Sequence, residues 1–175
     1  MSAEQGFAIW LTGLPASGKS SITRELARKL KARGVTAVVL ESDTMRKILT
    51  PEPTYSEEER GRFYRTLALL GEVITRSGVP VIFDATANRR EYRDQGRRLI
   101  ARFIEVYVSC PLEVCQKRDP KGIYARAAAS PAGTVPGVQS AYEPPLKPEL
   151  TIDGQAPPEG EADRILEKLK QLLYI

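Results

Sequence analysis

Residues 12–21 read T-G-L-P-A-S-G-K-S-S and follow the apolar run F-A-I-W-L. The spacing Gly13-x4-Gly18-Lys19-Ser20, between a predicted strand and a predicted helix, is that of a phosphate-binding P-loop. Each residue type has a physical reason to be there. Gly13 and Gly18 admit backbone conformations that a side chain would block, so successive N–H groups turn inward toward phosphate oxygens. The helix that begins near Lys19 adds the positive end of its dipole. Lys19 can reach the β- and γ-phosphates, and the Ser20 hydroxyl can ligate Mg2+. The expected ATP-binding stretch is therefore Gly13, Leu14, Pro15, Ala16, Ser17, Gly18, Lys19, Ser20 and Ser21. The loop lacks G-x-G-x-x-G, which disfavours a dinucleotide site.

The fate of a bound phosphate depends on the acids that face it. Glu41-Ser42-Asp43-Thr44-Met45-Arg46 follows the second predicted strand, and Val79-Pro-Val-Ile-Phe-Asp84 resembles a Walker B strand. Asp43 and Asp84 should both project toward the loop, one helping to hold Mg2+ and the other accepting a proton from an acceptor hydroxyl. Asp43 is the favoured base, because Arg46 beside it suits an anionic acceptor. The chain has no histidine, which removes Ser-His and Cys-His nucleophiles and every imidazole metal site. Its two cysteines, Cys110 and Cys115, match no zinc spacing and read as structural. Acid–base and metal chemistry must then run on carboxylates, hydroxyls, lysine and water.

Elements that position these residues alternate along the chain. Expected strands are Phe7–Thr12, Val35–Leu40 (read as buried), Val79–Phe83, Phe103–Val108 and Leu150–Ile152. Helices are expected over 19–33, from Ser56 to Gly78 behind a Ser56-x-x-Glu59 capping box, from Asn88 to Arg102, over 111–118 and over 159–173. Strands alternating with helices imply an α/β domain over 1–175, with a mostly parallel five-stranded sheet covered on both faces and ligands at the carboxyl ends of the strands. The Pro-, Gly-, Ala- and Ser-rich stretch 119–147 reads as a mobile lid. Trp10 reads as packing, and the last helix either packs on the sheet or contributes to a homodimer surface. A net charge of +4 with lysines and arginines scattered among acids points to no nucleic acid, and no apolar run approaches a membrane span. Without a signal-peptide pattern, the expected location is the cytoplasm.

Beyond the P-loop, Asp43-x-x-Arg46, Tyr55-Ser56 with Arg60, Phe103-Ile-Glu-Val-Tyr-Val, Pro111-Leu-Glu-Val-Cys, Arg118-Asp-Pro-Lys-Gly-Ile-Tyr, Tyr142-Glu143-x-Pro145 and Pro148-Glu149 together resemble the adenylylsulfate kinase family. The resemblance spans nearly the whole chain and is most specific over 103–124. It implies a P-loop NTPase fold of three α/β/α layers, and transfer of the ATP γ-phosphate to the ribose 3′-hydroxyl of adenylyl sulfate. By position it makes Asp43 the catalytic, metal-associated acid–base residue, with Arg46, Arg60, Arg90 and Lys121 on the acceptor and Tyr55 stacked on its adenine. Arg118 and the 119–147 segment would cover the nucleotides, and Arg93 matches a further family arginine. Three segments depart from the family pattern. Phe63-Tyr64-Arg65-Thr66 stands for Asn-Ile-Arg-Arg, Thr86-Ala87-Asn88-Arg89-Arg90 for Ile-Ser-Pro-x-Arg, and Gly133-Thr134-Val135-Pro136-Gly137 for Lys-Gly-Phe-Thr-Gly. Asp84-x-Thr86-x-x-Arg89 also resembles P-loop kinases that act on other hydroxyls. Two alternatives therefore stay open at this point: a related kinase with a different acceptor, and a nucleotide-binding regulatory domain.

Overall fold

Strand β1, Ala8–Thr12, is buried at every residue and lies at the centre of the sheet, as an uninterrupted apolar run of this length requires. The computed structural model describes residues 5–130 and 133–175. Residues 1–4, and residues 131–132 within the expected lid, lie outside the described residues. After β1 come α1 (Lys19–Lys31), β2 (Val38–Glu41), α2 (Ser42–Leu49), α3 (Glu57–Arg76) and β3 (Val81–Asp84). They are followed by α4 (Arg90–Leu99), β4 (Phe103–Ser109), α5 (Leu112–Arg118), α6 (Ile123–Ala129), β5 (Leu150–Asp153) and α7 (Pro158–Gln171). The five strands pair in the order β2-β3-β1-β4-β5 and every pairing is parallel.

Alternation along β1 splits the core into two layers. Ile9 and Leu11 face Ile22, Leu26 and Leu30 of α1 and Ile165 and Leu169 of α7. Ala8 and Trp10 face Phe63 and Leu67 of α3 and Tyr92 of α4. Trp10 packs as expected: its ring stacks on Phe83 at 4.4 Å and its indole N–H donates to Ala85 O at 3.1 Å. Two glycines let the helices come this close, because a Cβ at Gly71 would overlap the Phe83 ring and one at Gly96 would press on Trp10 and Phe103. The terminal helix spends its apolar face on α1 and the sheet. No described helix is long and apolar enough to cross a membrane.

Four expectations change. The second strand is an edge strand and not a buried one: Val38 and Val39 are 37% and 40% exposed, with Leu40 alone buried. Its β-branched residues suit extended backbone whether or not a neighbour covers them. Asn88 does not cap α4, which starts at Arg90, because its amide is committed to tertiary partners. Ser56 does cap α3, accepting from Glu59 N at 3.2 Å, yet the Glu59 carboxylate bypasses Ser56 for the N–H groups of Thr54 and Tyr55. The 119–147 stretch is not structureless. Its alanine-rich part forms α6, with Tyr124 packed against Cys110 and Cys115.

Candidate active site

The loop that leaves β1 curls around its own lysine. Lys19 Nζ donates to Gly13 O at 3.0 Å and to Leu14 O at 2.8 Å, and burial pulls this ammonium below the ordinary lysine range. Gly18 takes φ 107° at the head of α1, and Ala16 sits at φ 61°, a left-handed conformation that a residue with a Cβ adopts only when its surroundings impose it. The first turn of α1 has no acid to offset its dipole. Ser17 Oγ is buried with no hydrogen-bond partner among the described residues. A buried hydroxyl without a partner, in the loop that leads into α1, is a donor open to a ligand.

Parallel register places the acids. Leu11, Asp84 and Glu41 align at the ends of β1, β3 and β2, so the chain following each strand opens onto the same loop. Asp84 is buried, and desolvation pushes its carboxyl above the ordinary range against the opposing pull of Lys19 and of the nearby Ser20 hydroxyl. Asp43, on the first turn of α2, is half-exposed and pairs with Lys121 at 2.5 Å; the same ammonium lies 3.7 Å from Glu41. Arg118 closes the far side, donating to Gly154 O at 2.7 Å. Between them lies a cleft of about 800 Å³ that Lys19, Ser20, Asp43, Asp84, Arg118 and Lys121 help to line. The fold thus brings together the loop 13–21, both acids and two cations from the 118–121 turn.

Of the residues expected to bind an acceptor, Lys121 lines this cleft and pairs with Asp43, and the others form a second group outside it. Arg46 pairs with Glu59 at 2.9 Å, and its guanidinium lies 4.0 Å from the Phe63 ring centroid and 5.1 Å from that of Tyr55. Arg60 donates to Thr134 O at 2.6 Å and Thr134 Oγ1 at 3.0 Å. Tyr55, 42% exposed at φ 56°, presents a ring next to both arginines. Arg90 is used locally: its N–H donates to Glu143 Oε2 and its Nε to Pro144 O, both at 2.8 Å. Arg93, 1% exposed, donates to Glu105 Oε1, Ala87 O and Glu143 O, and so braces β4, the turn after β3 and the 142–145 segment together. Cys110 and Cys115 are free and buried, and burial pushes the Cys115 thiol up to about 12.

The adenylylsulphate kinase family model matches residues 5–153. The chain belongs to the adenylylsulphate kinase family. It is 38% identical to a probable adenylyl-sulfate kinase of Pyrococcus abyssi over 98% of this chain and 99% of that one. It is 40% identical to the adenylyl-sulfate kinase of Gloeothece citriformis over 98% of each chain. Among solved structures, the Mycobacterium tuberculosis APS kinase in complex with AMPPNP and APS superposes with a TM-score of 0.90 at 32% identity, covering 95% of this chain and 98% of that chain.

Within this adenylylsulphate kinase fold, three contacts escape sequence reasoning. Glu59 is the ion-pair partner of Arg46; the capping-box spacing marked Glu59 but pointed it at the wrong group. Tyr142 OH meets Thr12 Oγ1 at 3.0 Å, and that hydroxyl donates to Thr86 O at 2.6 Å, tying the P-loop strand, the segment after β3 and the end of the 119–147 stretch. Asn88 bridges α3 to that same stretch. The quoted Tyr142-Glu143 motif was a signal for the second, whereas the third carried none.

Proposed function

We propose that this protein transfers the γ-phosphate of ATP to the ribose 3′-hydroxyl of adenylyl sulfate, producing 3′-phosphoadenylyl sulfate and ADP. One observation carries the reading: two carboxylates, Asp43 from the first turn of α2 just after β2 and Asp84 from the end of the adjacent β3, line one cleft with a single P-loop. A switch domain needs the loop; a kinase also needs a proton acceptor and a separate anchor for the metal. The backbone N–H groups at the head of α1, the Ser17 hydroxyl and Lys19 hold the donor phosphates. Asp84 and Ser20 fit Mg2+, since a buried carboxylate and a hydroxyl that line one cleft are both hard oxygen donors, and Mg2+ characteristically takes one or two carboxylates plus phosphate oxygens. When bound, the ion neutralises charge on the β- and γ-phosphates. Asp43 accepts the 3′-hydroxyl proton as the new O–P bond forms and the bond from the γ-phosphorus to the ADP oxygen breaks. Lys121 steadies Asp43 from the opposite wall. Arg46, Arg60 and Arg90, with the face of Tyr55, make up the acceptor half. The free, buried thiols support a reducing, cytoplasmic setting.

A coupled assay of ATP consumption across hydroxyl acceptors tests this. Turnover with adenylyl sulfate is expected, and Asp43→Asn should abolish it while nucleotide binding persists. Turnover with another hydroxyl alone would replace the acceptor, and activity surviving in Asp43→Asn would remove Asp43 as the base.

A further inference from the structure

The acceptor half contains a bridge built from a residue that the family pattern does not supply. Asn88 is 6% exposed, and both ends of its amide are used by different elements. Its Oδ1 accepts from Arg60 Nη1 of α3 at 3.4 Å, and its Nδ2 donates to Ala141 O at 3.0 Å. Its backbone carbonyl accepts from Glu143 N at 2.8 Å. The amide has only one workable orientation. Rotated by half a turn, its NH2 would face a guanidinium and its oxygen would face a carbonyl, leaving two donors opposed and two acceptors opposed.

The turn that aims this side chain inward is held on both sides. Ala87 lies at φ 41°, in the left-handed region, with its N–H on the Tyr64 hydroxyl at 3.2 Å and its carbonyl on the buried Arg93. Tyr64 and Asn88 both fall in segments where the chain leaves the family pattern, and a proline at position 88 would have no amide to offer either neighbour. Arg60 is itself enclosed by the same stretch, through Thr134 and through Ser140 Oγ at 3.5 Å.

We propose that Asn88 is a positioning residue for the acceptor: it fixes the Arg60 guanidinium and fastens the 133–149 segment over it, so that the acceptor arginine and the covering segment move as one unit. This rests on the acceptor role of Arg60 set out under the proposed function. A hydrogen bond to a charged group, lost without a replacement, corresponds to roughly a tenfold or larger loss in affinity. The described hydrogen bonds of Asn88 go to Arg60, Ala141 and Glu143 and not to the loop 13–21 or Asp43, so the donor side should be spared.

The test uses Asn88→Ala and Asn88→Asp in the full chain, each checked by thermal melting. In Asn88→Ala, KM for adenylyl sulfate should rise about tenfold while KM for ATP and kcat stay within about threefold. Asn88→Asp keeps an acceptor for Arg60 but sets an anion against Ala141 O. Its KM for adenylyl sulfate should stay near that of the wild type, while trypsin cleaves faster in both variants at Arg126, next to the Ala127 carbonyl that Gln139 of the segment holds at 3.0 Å. Equal changes in both KM values, or an acceptor KM within twofold of wild type in Asn88→Ala, would overturn the proposal, as would trypsin rates unchanged in both variants. If the wild type fails to turn over adenylyl sulfate, the acceptor reading falls alone. The trypsin rates then decide whether Asn88 fastens the segment: faster cleavage upholds the fastening, and unchanged cleavage refutes it.

Discussion

Replacing Glu105 by glutamine should be among the most damaging conservative changes in the molecule. Glu105 lies on β4 with its carboxylate 2.5 Å from Arg93 Nε, and the two side chains are 8% and 1% exposed. Glutamine keeps the shape and one acceptor oxygen but removes the anion bonded to that buried guanidinium. Removing one partner of a buried pair costs about 3–5 kcal/mol, and the retained oxygen places this variant near the lower end, about 3 kcal/mol. For a chain of this size each kcal/mol lowers Tm by about 2–4 °C, so the expected fall is about 6–12 °C. Arg97 softens the blow little, because it stands 3.6 Å from Glu105, is 37% exposed and makes its closer contact, 2.6 Å, with Glu149. The assay is a double-mutant cycle by thermal and urea unfolding, with Arg93→Met as the second arm. The pair should couple by about 1–3 kcal/mol, so that the double variant is less damaged than the summed singles. Strict additivity, or a Glu105→Gln melting point within 2 °C of the wild type, would refute the assignment of Arg93 as a brace that depends on Glu105.

Two glycines of α3 should respond in opposite directions. Gly71→Ala pushes a methyl into the Phe83 ring and should cost about 1–3 kcal/mol by overpacking, whereas at Gly61 the nearest atom is Tyr92 Cε1 at 3.9 Å, so Gly61→Ala should gain about 0.5–1 kcal/mol in helix propensity; urea midpoints read both. Glu59 is held below the ordinary glutamate value of 4.5: burial opposes this, but hydrogen bonds from Thr54 and Tyr55 together with Arg46 prevail. A depressed carboxyl stabilises the fold above its unfolded pKa and loses that contribution as pH falls through the folded value. Glu59→Gln should therefore be less stable than the wild type at pH 7, with the gap closing below about pH 4.5 in a melting series. Lys121→Met removes a solvent-exposed partner of Asp43 and should change stability by less than about 1 kcal/mol. The same variant should slow phosphate transfer at least tenfold in the coupled assay, and an unchanged rate would remove Lys121 from the site.

What could be read from the sequence follows the range of the interactions involved. The P-loop is contiguous, and its strand–loop–helix setting is fixed by a few neighbouring residues, so Gly13–Ser21 were legible without a fold. Asp43 and Asp84 were legible because one follows a strand and the other ends one, and parallel strands deliver their ends to one edge. Val38 and Val39 were misread because branching at Cβ reports extended backbone and says nothing about whether a neighbouring element covers it. Asn88 was misread because cap preference is a local tendency, overruled here by bonds to Arg60 and Ala141, 28 and 53 residues away. The pairing of Arg46 with Glu59 crosses a loop whose path no periodicity specifies. The helix α6 was missed because its apolar face is mostly alanine, which has strong helix propensity but a weak hydrophobic signature.

The strand order has a consequence for how the chain is made. β1 is first in sequence but sits between β3 and β4, so the strand that carries the phosphate loop is the one whose partners are synthesised later. Residues 8–12 leave the ribosome long before Asp84 ends the first partner, and longer still before Ser109 ends the second. At about 5–20 residues per second, the apolar run A-I-W-L-T stays unpaired for roughly 4–14 s until β3 is complete. During that interval Trp10 and its neighbours are a hydrophobic segment without a core, available to chaperones and to other nascent chains. A pairing geometry that gathers the loop and both acids at one edge of the sheet in the folded protein therefore makes this same strand the most vulnerable part of the molecule while it is being synthesised.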